Sequence, residues 1–488
     1  MITVRLRSPV PWVFSILLAS YAFFWHARDW NTASRLMLTY ALVDRGTIAL
    51  NGLEEQTRDI ALVRGRYYTD KLPGFSLLAV PPYALAKWVL RLPDHPLNRP
   101  GFSHWPADYW VTLLTSGLLT ALTGALLSAL AADLGCGPRR SALVGLAYGL
   151  ATPAYVYATL SYGHQATACA LLASFALLRR GGGSRRAVLL RCGLAGALAA
   201  AAAVIELQVG PAAAILGLYL LALVASRQRP ADGLATFALG ALVPTLVLLG
   251  YNVLAFGSPW DMGYFHERIT DFSQVHSAEN PLGLRRPAFA IIPALLWGRY
   301  RGLFFYAPIV LLALPGWIVL ARRRRWGEAL VSLAICLAVF LVNLSYPHWT
   351  GGWSTGPRLL VPLLPFAMLP VAAMLALGGR AATAAALVLA LAGGALMLLF
   401  QGVGGRVPQD ILDPLREAVW PLWRGAPIPR FWVGPRFDAH LLSWLWPEAI
   451  RRLPPEYQWL PFLPLVALQA VLIAAMLVAL RGSPGRPS

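Results

Sequence analysis

The sequence predicts an all-α polytopic membrane protein with about twelve transmembrane helices. Three observations carry that prediction. Apolar residues make up 57% of the chain and charged residues only 13%, too little charge for a soluble surface of this size. Runs of roughly 17 to 25 apolar residues, each able to cross a bilayer, recur from Pro9 to Leu480. Arginine clusters separate several of these runs, as the positive-inside rule requires of cytoplasmic loops.

The clusters set the threading. Arg139-Arg140, Arg179 to Arg186, Arg227 to Arg229, Arg322 to Arg325 and the tail from Arg481 are placed in the cytoplasm. Spans are then expected at 9–26, 108–133, 141–160, 164–180, 187–207, 210–226, 232–256, 302–321, 328–345, 357–378, 381–402 and 458–480. Both termini lie inside, and the first run is an uncleaved helix because no small-residue cleavage site follows it. Phe75 to Leu90 is apolar enough to span, but counting it would put Arg179 to Arg186 outside. It also contains Pro81-Pro82 and Lys87, so it is read as a helix lying in the outer interface. Long outer segments remain at 26–108, 257–301 and 403–457.

The net charge of +19 does not indicate nucleic acid, because no basic stripe with interleaved aromatics accompanies it. Cys136, Cys169, Cys192 and Cys336 show no CxxC or CxxH spacing, so neither a zinc site nor a disulfide framework is supported. Phosphate-loop and HExxH patterns are absent from the sequence. The expected cytoplasmic loops are too short for a nucleotide-sugar domain, so any donor is expected to be lipid-linked.

The acidic residues locate the chemistry. Of 22 Asp and Glu, only Asp133, Asp232 and Glu328 fall on the cytoplasmic side of this threading. None sits near the middle of a span, unlike the ionisable groups of coupled transporters. The first outer segment, 26–108, is the richest. Within it, Leu36, Leu38, Tyr40, Ala41 and Val43 follow helical spacing, and Gly46 is placed to end that helix. Asp59 and the stretch Tyr67-Tyr68-Thr69-Asp70-Lys71-Leu72-Pro73-Gly74 follow, with Pro and Gly fixing a turn.

The run Asp70-Lys71-Leu72-Pro73-Gly74 before an apolar interfacial helix resembles the (Asp/Glu)-Lys-Pro-Pro stretch of the GT-C glycosyltransferases. The nearest branches are the family 39 protein mannosyltransferase-like enzymes and the lipid A aminoarabinose transferases. Tyr300 to Pro308 and Trp349-Thr-Gly-Gly-Trp353-Ser-Thr-Gly-Pro-Arg358 are similar to a bacterial branch of that superfamily. The resemblance covers 1–400, a GT-C-like transmembrane catalytic module including the first outer loop. It leaves 401–488 as an outer Trp/Pro-rich loop plus a last transmembrane helix. It implies juxtamembrane helices in the first outer loop. It also implies transfer of a sugar from a polyprenyl-phosphate donor to a glycan, lipid or protein acceptor, on the outer face of a bacterial inner membrane.

Such transfer needs a cation for the carrier phosphate, a carboxylate for the acceptor proton and a groove open to membrane lipid. Lys71 is the first candidate for the phosphate, with Arg358 and Arg301 behind it. The carboxylate remains open among Asp29, Asp59 and Asp70. The family places an Asp at the start of the first juxtamembrane helix, and counting back from Gly46 puts Asn31 there, an amide that cannot act as a base. Asn31, His164, Tyr68, Trp349 and Trp353 are the candidate substrate contacts. No cofactor is assigned, although Asp29, Asp59 and Asp70 could gather around a divalent metal. Two other classes compete: a lipid or glycan transporter or flippase without chemistry, and an inactive scaffold of the same fold.

Overall fold

The structure is a computed structural model; it describes residues 8–95, 105–268, 275–427 and 440–482. Long apolar helices dominate because each run identified above satisfies its own backbone hydrogen bonds, the condition for crossing lipid. In chain order these are α1 (Pro9–Ala22), α2 (Trp30–Arg45), α3 (Gly74–Leu90), α4 (Pro106–Asp133), α5 (Pro138–Leu150), α6 (His164–Arg179), α7 (Arg185–Ile205) and α8 (Leu207–Ala225). They continue with α9 (Asp232–Phe256), α10 (Pro308–Arg322), α11 (Trp326–Ser345), α12 (Arg358–Leu377), α13 (Gly379–Gly402) and α14 (Pro455–Ala479). Among the described residues, 8 helices are long and apolar enough to cross a membrane: α4, α7, α8, α9, α11, α12, α13 and α14. The chain is thus a multi-pass membrane protein.

The other expected spans occur as shorter or broken helices. Pro153 stands where 141–160 divides into α5 and a short helix over Ala154–Ala158. Pro308 has no amide hydrogen to continue the Leu303–Tyr306 turn, so the expected 302–321 span begins its regular helix later. The 9–26 segment is helical only to Ala22.

The bundle has two chemically different ends. At one, Arg179 reaches Asp133 at 3.0 Å and Glu328 at 2.8 Å, and Arg185 pairs with Asp232. These are the three acids and the arginine loops that the threading put together. The opposite ends of the same helices carry His164, Glu206 and Asn343.

Over that second end lies a smaller layer with its own apolar core, built from Leu36, Tyr40, Leu53, Tyr68, Phe75 and Tyr83 among others. α2 and α3 form it. Lys87 and Tyr83 of α3 both reach Asp44 of α2, at 2.6 and 2.8 Å. α3 carries Pro81, Pro82 and Lys87 within it and packs on α2 of this layer. The layer is not purely helical, which corrects the all-α expectation. Ile60–Val63 (β1) pairs antiparallel with Arg66–Thr69 (β2). Arg64 and Gly65, both at positive φ, form the connecting turn, the geometry of a two-residue hairpin. β-branched and aromatic side chains flank that turn and favour extended backbone.

The last helix closes against the first. α14 packs on α1, and Gln469 donates to Ser20 at 2.9 Å. Leu441 donates its amide to the Phe23 carbonyl.

Candidate functional site

The site grows from the start of α2. Asp29 caps that helix: its Oδ1 accepts the Thr32 amide at 2.7 Å, and the Thr32 hydroxyl closes the reciprocal half of a capping box. The cap fixes the carboxylate at the seam between the membrane-length helices and the overlying layer. Its other oxygen accepts from the Tyr162 hydroxyl and faces Arg406 at 3.1 Å. Burial alone would push the Asp29 pKa up. Arg406, Tyr162 and Thr32 outweigh that and hold it below its ordinary value.

The hairpin delivers the next group. β2 runs straight into Asp70 and Lys71, and Pro73 caps α3 without a side-chain hydrogen bond. Two glycines allow the loop to sit where it does. A side chain at Gly74 would meet the Val204 carbonyl of α7 at 2.6 Å, and one at Gly263 would meet the Thr69 carbonyl at 2.5 Å. The first approach sets the Asp-Lys loop beside the end of α7, where Glu206 lies. The second brings Glu267 to Asp70.

Lys71 is therefore enclosed by acids. Its ammonium lies 3.1 Å from Asp59 and also pairs with Asp70, whose other oxygen accepts from Ser34 at 3.0 Å. Glu267 shares a hydrogen bond with Asp70. Burial works against the charged lysine, but Asp59, Asp70 and Glu267 together hold its pKa well above normal. The acids respond to their crowding. Burial raises Asp59 and Asp70 adds to it, with Lys71 opposing; the net position is above the ordinary value. Glu267 is pushed up to about 9 by burial and by Asp70, with Lys71 again opposing. At neutral pH it is a protonated acid that can donate a hydrogen bond.

Glu206 links the two groups. It pairs with Arg35 of α2 at 3.0 Å and lies 3.2 Å from His164 Nδ1. Burial raises it, but His164, Arg35 and Arg358 outweigh that and bring it down to about 2. Arg358, at the start of α12, stacks over the Tyr162 ring at 4.9 Å. Unlike Lys71, Arg35 and Arg406, it makes no ion pair among the described residues. Its Nε is buried and has no hydrogen-bond partner.

The structure thus gathers Asp29, Asp59, Asp70, Lys71, His164 and Arg358 in one charged seam. It places Arg301, Trp349, Trp353 and Tyr68 elsewhere and Asn31 at the edge of the seam. Arg301 is fully buried, and its guanidinium donates to the carbonyls of Thr350, Tyr300 and Gly352 at 2.7 to 3.0 Å. A guanidinium filled in this way is a loop clamp, not a free phosphate ligand, which corrects the expectation for Arg301. Trp349 packs edge-on to Tyr300 and Trp353 is half-buried, both in the loop that Arg301 holds. Neither makes a hydrogen bond or ring contact with the acidic seam. Tyr68 is buried in the overlying core against Phe256, so it does not stand ready for a substrate. Asn31 lies in the first turn of α2 and accepts from Arg35 at 3.3 Å. No group of three or more His, Cys, Asp or Glu is arranged to hold a metal ion among the described residues.

Several seam residues escaped the sequence reading. Glu206 carried a usable signal, as the only acid between two apolar runs. Arg35 stands one turn inside an amphipathic helix rich in apolar neighbours and reads as a surface charge. Arg406 and Glu267 come from distant outer loops and had no local signature.

No protein-family model and no curated protein sequence matches this chain. Solved structures do. ArnT from Cupriavidus metallidurans, bound to undecaprenyl phosphate, superposes with a TM-score of 0.52 at 16% identity, over 99% of this chain and 72% of that one. This chain has the GT-C fold. The apo state of the same ArnT gives a TM-score of 0.48 at 15% identity, covering 95% of this chain and 73% of that one. The oligosaccharyltransferase AglB from Archaeoglobus fulgidus, in complex with an inhibitory peptide and a dolichol-phosphate, gives 0.45 at 11%, covering 78% and 54%. The superposition on ArnT takes in nearly the whole chain, so the segment after residue 400 is covered by the likeness too. That segment also supplies Arg406 to the seam.

Proposed function

We propose that this GT-C-fold protein transfers a sugar from a polyprenyl-phosphate donor to a hydroxyl-bearing or amide-bearing acceptor. In this reading the acidic seam lies on the non-cytoplasmic side of a bacterial inner membrane, and about twelve segments cross the bilayer. The short helices α1, α5, α6 and α10 cross together with the eight long ones, and α2 and α3 lie in the outer interface. The arginine-paired acids at the far end of the bundle support that orientation.

The observation that carries the proposal is Arg358: among the described residues it has no carboxylate within ion-pair distance, whereas Lys71, Arg35 and Arg406 of the same seam each do. An unpaired guanidinium beside buried aromatic rings suits an incoming phosphate and matches its planar, bidentate geometry. As the bond from the sugar's anomeric carbon to the phosphate oxygen breaks, the electron pair stays on the phosphate. Arg358 stabilises the charge that develops there. Lys71 is the second cation in reach, but two carboxylates already hold it, so it serves the phosphate less directly.

Asp29 takes the other role. It is ionised at neutral pH, oriented by Tyr162 and Arg406, and fixed at a helix start. It accepts the acceptor's proton, or aligns the nucleophile, as the new bond to the anomeric carbon forms. Asp59 and Asp70 position Lys71, and Glu267 tethers Asp70.

The test is turnover. Protein in lipid nanodiscs is given polyprenyl-phosphate sugars and an envelope extract as acceptor, and release of bare polyprenyl phosphate is followed by mass spectrometry. The expected result is release that Arg358→Ala abolishes while the protein still melts cooperatively. Carrier binding without release in the unaltered protein would instead favour the transport or scaffold readings.

A further inference from the structure

A narrow cleft opens beside His164 and Glu206, between the end of α11 and the start of α12. Most of its remaining wall is apolar, with Val339, Val342 and Leu359 among the lining residues. Gln208 and Asn343 are the exceptions, and Asn343 is the buried one. It is 1% exposed, and neither its Oδ1 nor its Nδ2 has a hydrogen-bond partner among the described residues. His164 Nε2 is also buried and unpartnered. A buried carboxamide with both ends unmade is costly, and it is costlier still near the end of a membrane-spanning helix. Such a group needs a partner reached through the cleft, an ordered water in the empty site and a ligand in the filled one.

The pair of unmade atoms narrows the ligand. Oδ1 needs a donor and Nδ2 needs an acceptor. A phosphate offers acceptors only and would leave Oδ1 unmet. A hydroxyl, or two neighbouring hydroxyls, meets both. Arg358 directly precedes Leu359 in the chain, so the cation suited to phosphate lies next to the cleft suited to hydroxyls. We infer that the glycosyl head of the carrier lies at the mouth of the cleft and directs hydroxyls into it beside His164 and Asn343, and that Asn343 is a specificity-determining residue reading those hydroxyls. This rests on the donor proposed above and assigns the half of it that Arg358 does not hold.

The experiment compares two probes, polyprenyl phosphate and polyprenyl-phosphate glucose, against the unaltered protein, Asn343→Leu and Asn343→Val in nanodiscs. Leucine keeps the branched outline of asparagine and suits the apolar wall, and thermal melting confirms that each variant is folded. The expected result is tighter binding of the glucosylated carrier by the unaltered protein. In both variants that advantage falls about 10-fold, the size of a lost polar contact or two, while affinity for the bare phosphate stays within about 2-fold. Unchanged discrimination in the folded variants, or equal binding of both probes by the unaltered protein, overturns the assignment of Asn343 alone. Failure of the unaltered protein to bind either probe overturns the donor reading beneath it.

Discussion

Arg406 holds its guanidinium 3.1 Å from the Asp29 carboxylate, and the same side chain donates to the Ala27 carbonyl just before it. The pair joins the segment after α13 to the start of α2, and it is one reason Asp29 stays ionised. Replacing Arg406 with glutamine removes the charge and keeps a donor. The Asp29 pKa then rises, because burial is no longer opposed by a cation. The acceptor step needs the ionised form, so the acid limb of the pH–rate profile moves to higher pH. Stability follows the same sign. A depressed carboxylate stabilises the fold above its unfolded pKa and loses that contribution as pH falls through the folded one, so R406Q flattens the acid side of the melting profile. A pH profile of kcat for R406Q that superposes on that of the unaltered protein would contradict this role.

Glu267 makes the opposite prediction. Its pKa is pushed up to about 9 from an ordinary 4.5. Between those values the folded protein keeps a proton that the unfolded chain has released, so stability declines as pH rises. Glu267→Gln carries a permanent neutral donor toward Asp70 and removes that decline. Melting curves from pH 5 to 9 in detergent are expected to show E267Q gaining on the unaltered protein progressively toward pH 9. A constant offset between the two curves would count against the raised pKa.

Much of this arrangement can be read in the sequence, and the limits are physical. Helix α2 was expected from its apolar spacing and from Gly46, which indeed ends it at positive φ. The arginine clusters sort the acids correctly between the two ends of the bundle, because loop charge is a local property. The hairpin was missed although Arg64-Gly65 between Ile60–Val63 and Arg66–Thr69 is a recognisable turn signal. Its two strands are too short to show alternation above the noise. The roles of Arg301 and Arg358 could not be told apart, since both are arginines at helix starts. Only three-dimensional contacts reveal that one is saturated by carbonyls and the other is not.

That difference is testable by lysine replacement. Lysine cannot reproduce the fork that serves three carbonyls at once, and buried carbonyls left unpaired cost about 1–3 kcal/mol each. Arg301→Lys is therefore expected to lower the melting temperature clearly while KM for the donor changes little in the protein that remains folded. Arg358→Lys should do the reverse, with near-normal melting and a raised donor KM. Equal effects of the two on KM would put Arg301 back in the phosphate site.

A second buried pair concerns the fold alone. Arg28 lies 3.3 Å from Asp108, and both side chains are almost wholly enclosed. Tyr40 donates to the same carboxylate, and Arg28 also contacts His95 at 2.9 Å. Breaking a buried pair by removing one charge typically costs about 3–5 kcal/mol. Asp108→Asn is expected to destabilise on that scale, and Asp108→Ala more, by chemical or thermal denaturation. A shift near zero would mean that the pair is solvated in the working protein.

Asn31 separates two accounts of the base. If the residue at the first turn of α2 were the natural site for a carboxylate, restoring an acid there should create or recover activity. The geometry argues otherwise. Asn31 faces Arg35, which already serves Glu206, and Asp29 alone meets Tyr162 and Arg406. Asp29→Asn is therefore expected to cut kcat by about 10²-fold or more, the usual range for a lost general base, while donor KM stays close to normal. Adding Asn31→Asp to that variant should not restore turnover, because the new carboxylate competes with Glu206 for Arg35 instead of facing the acceptor. The double variant is the decisive sample: recovery of kcat to within about 10-fold of the unaltered enzyme, a loss smaller than a missing base allows, would move the base from Asp29 to position 31.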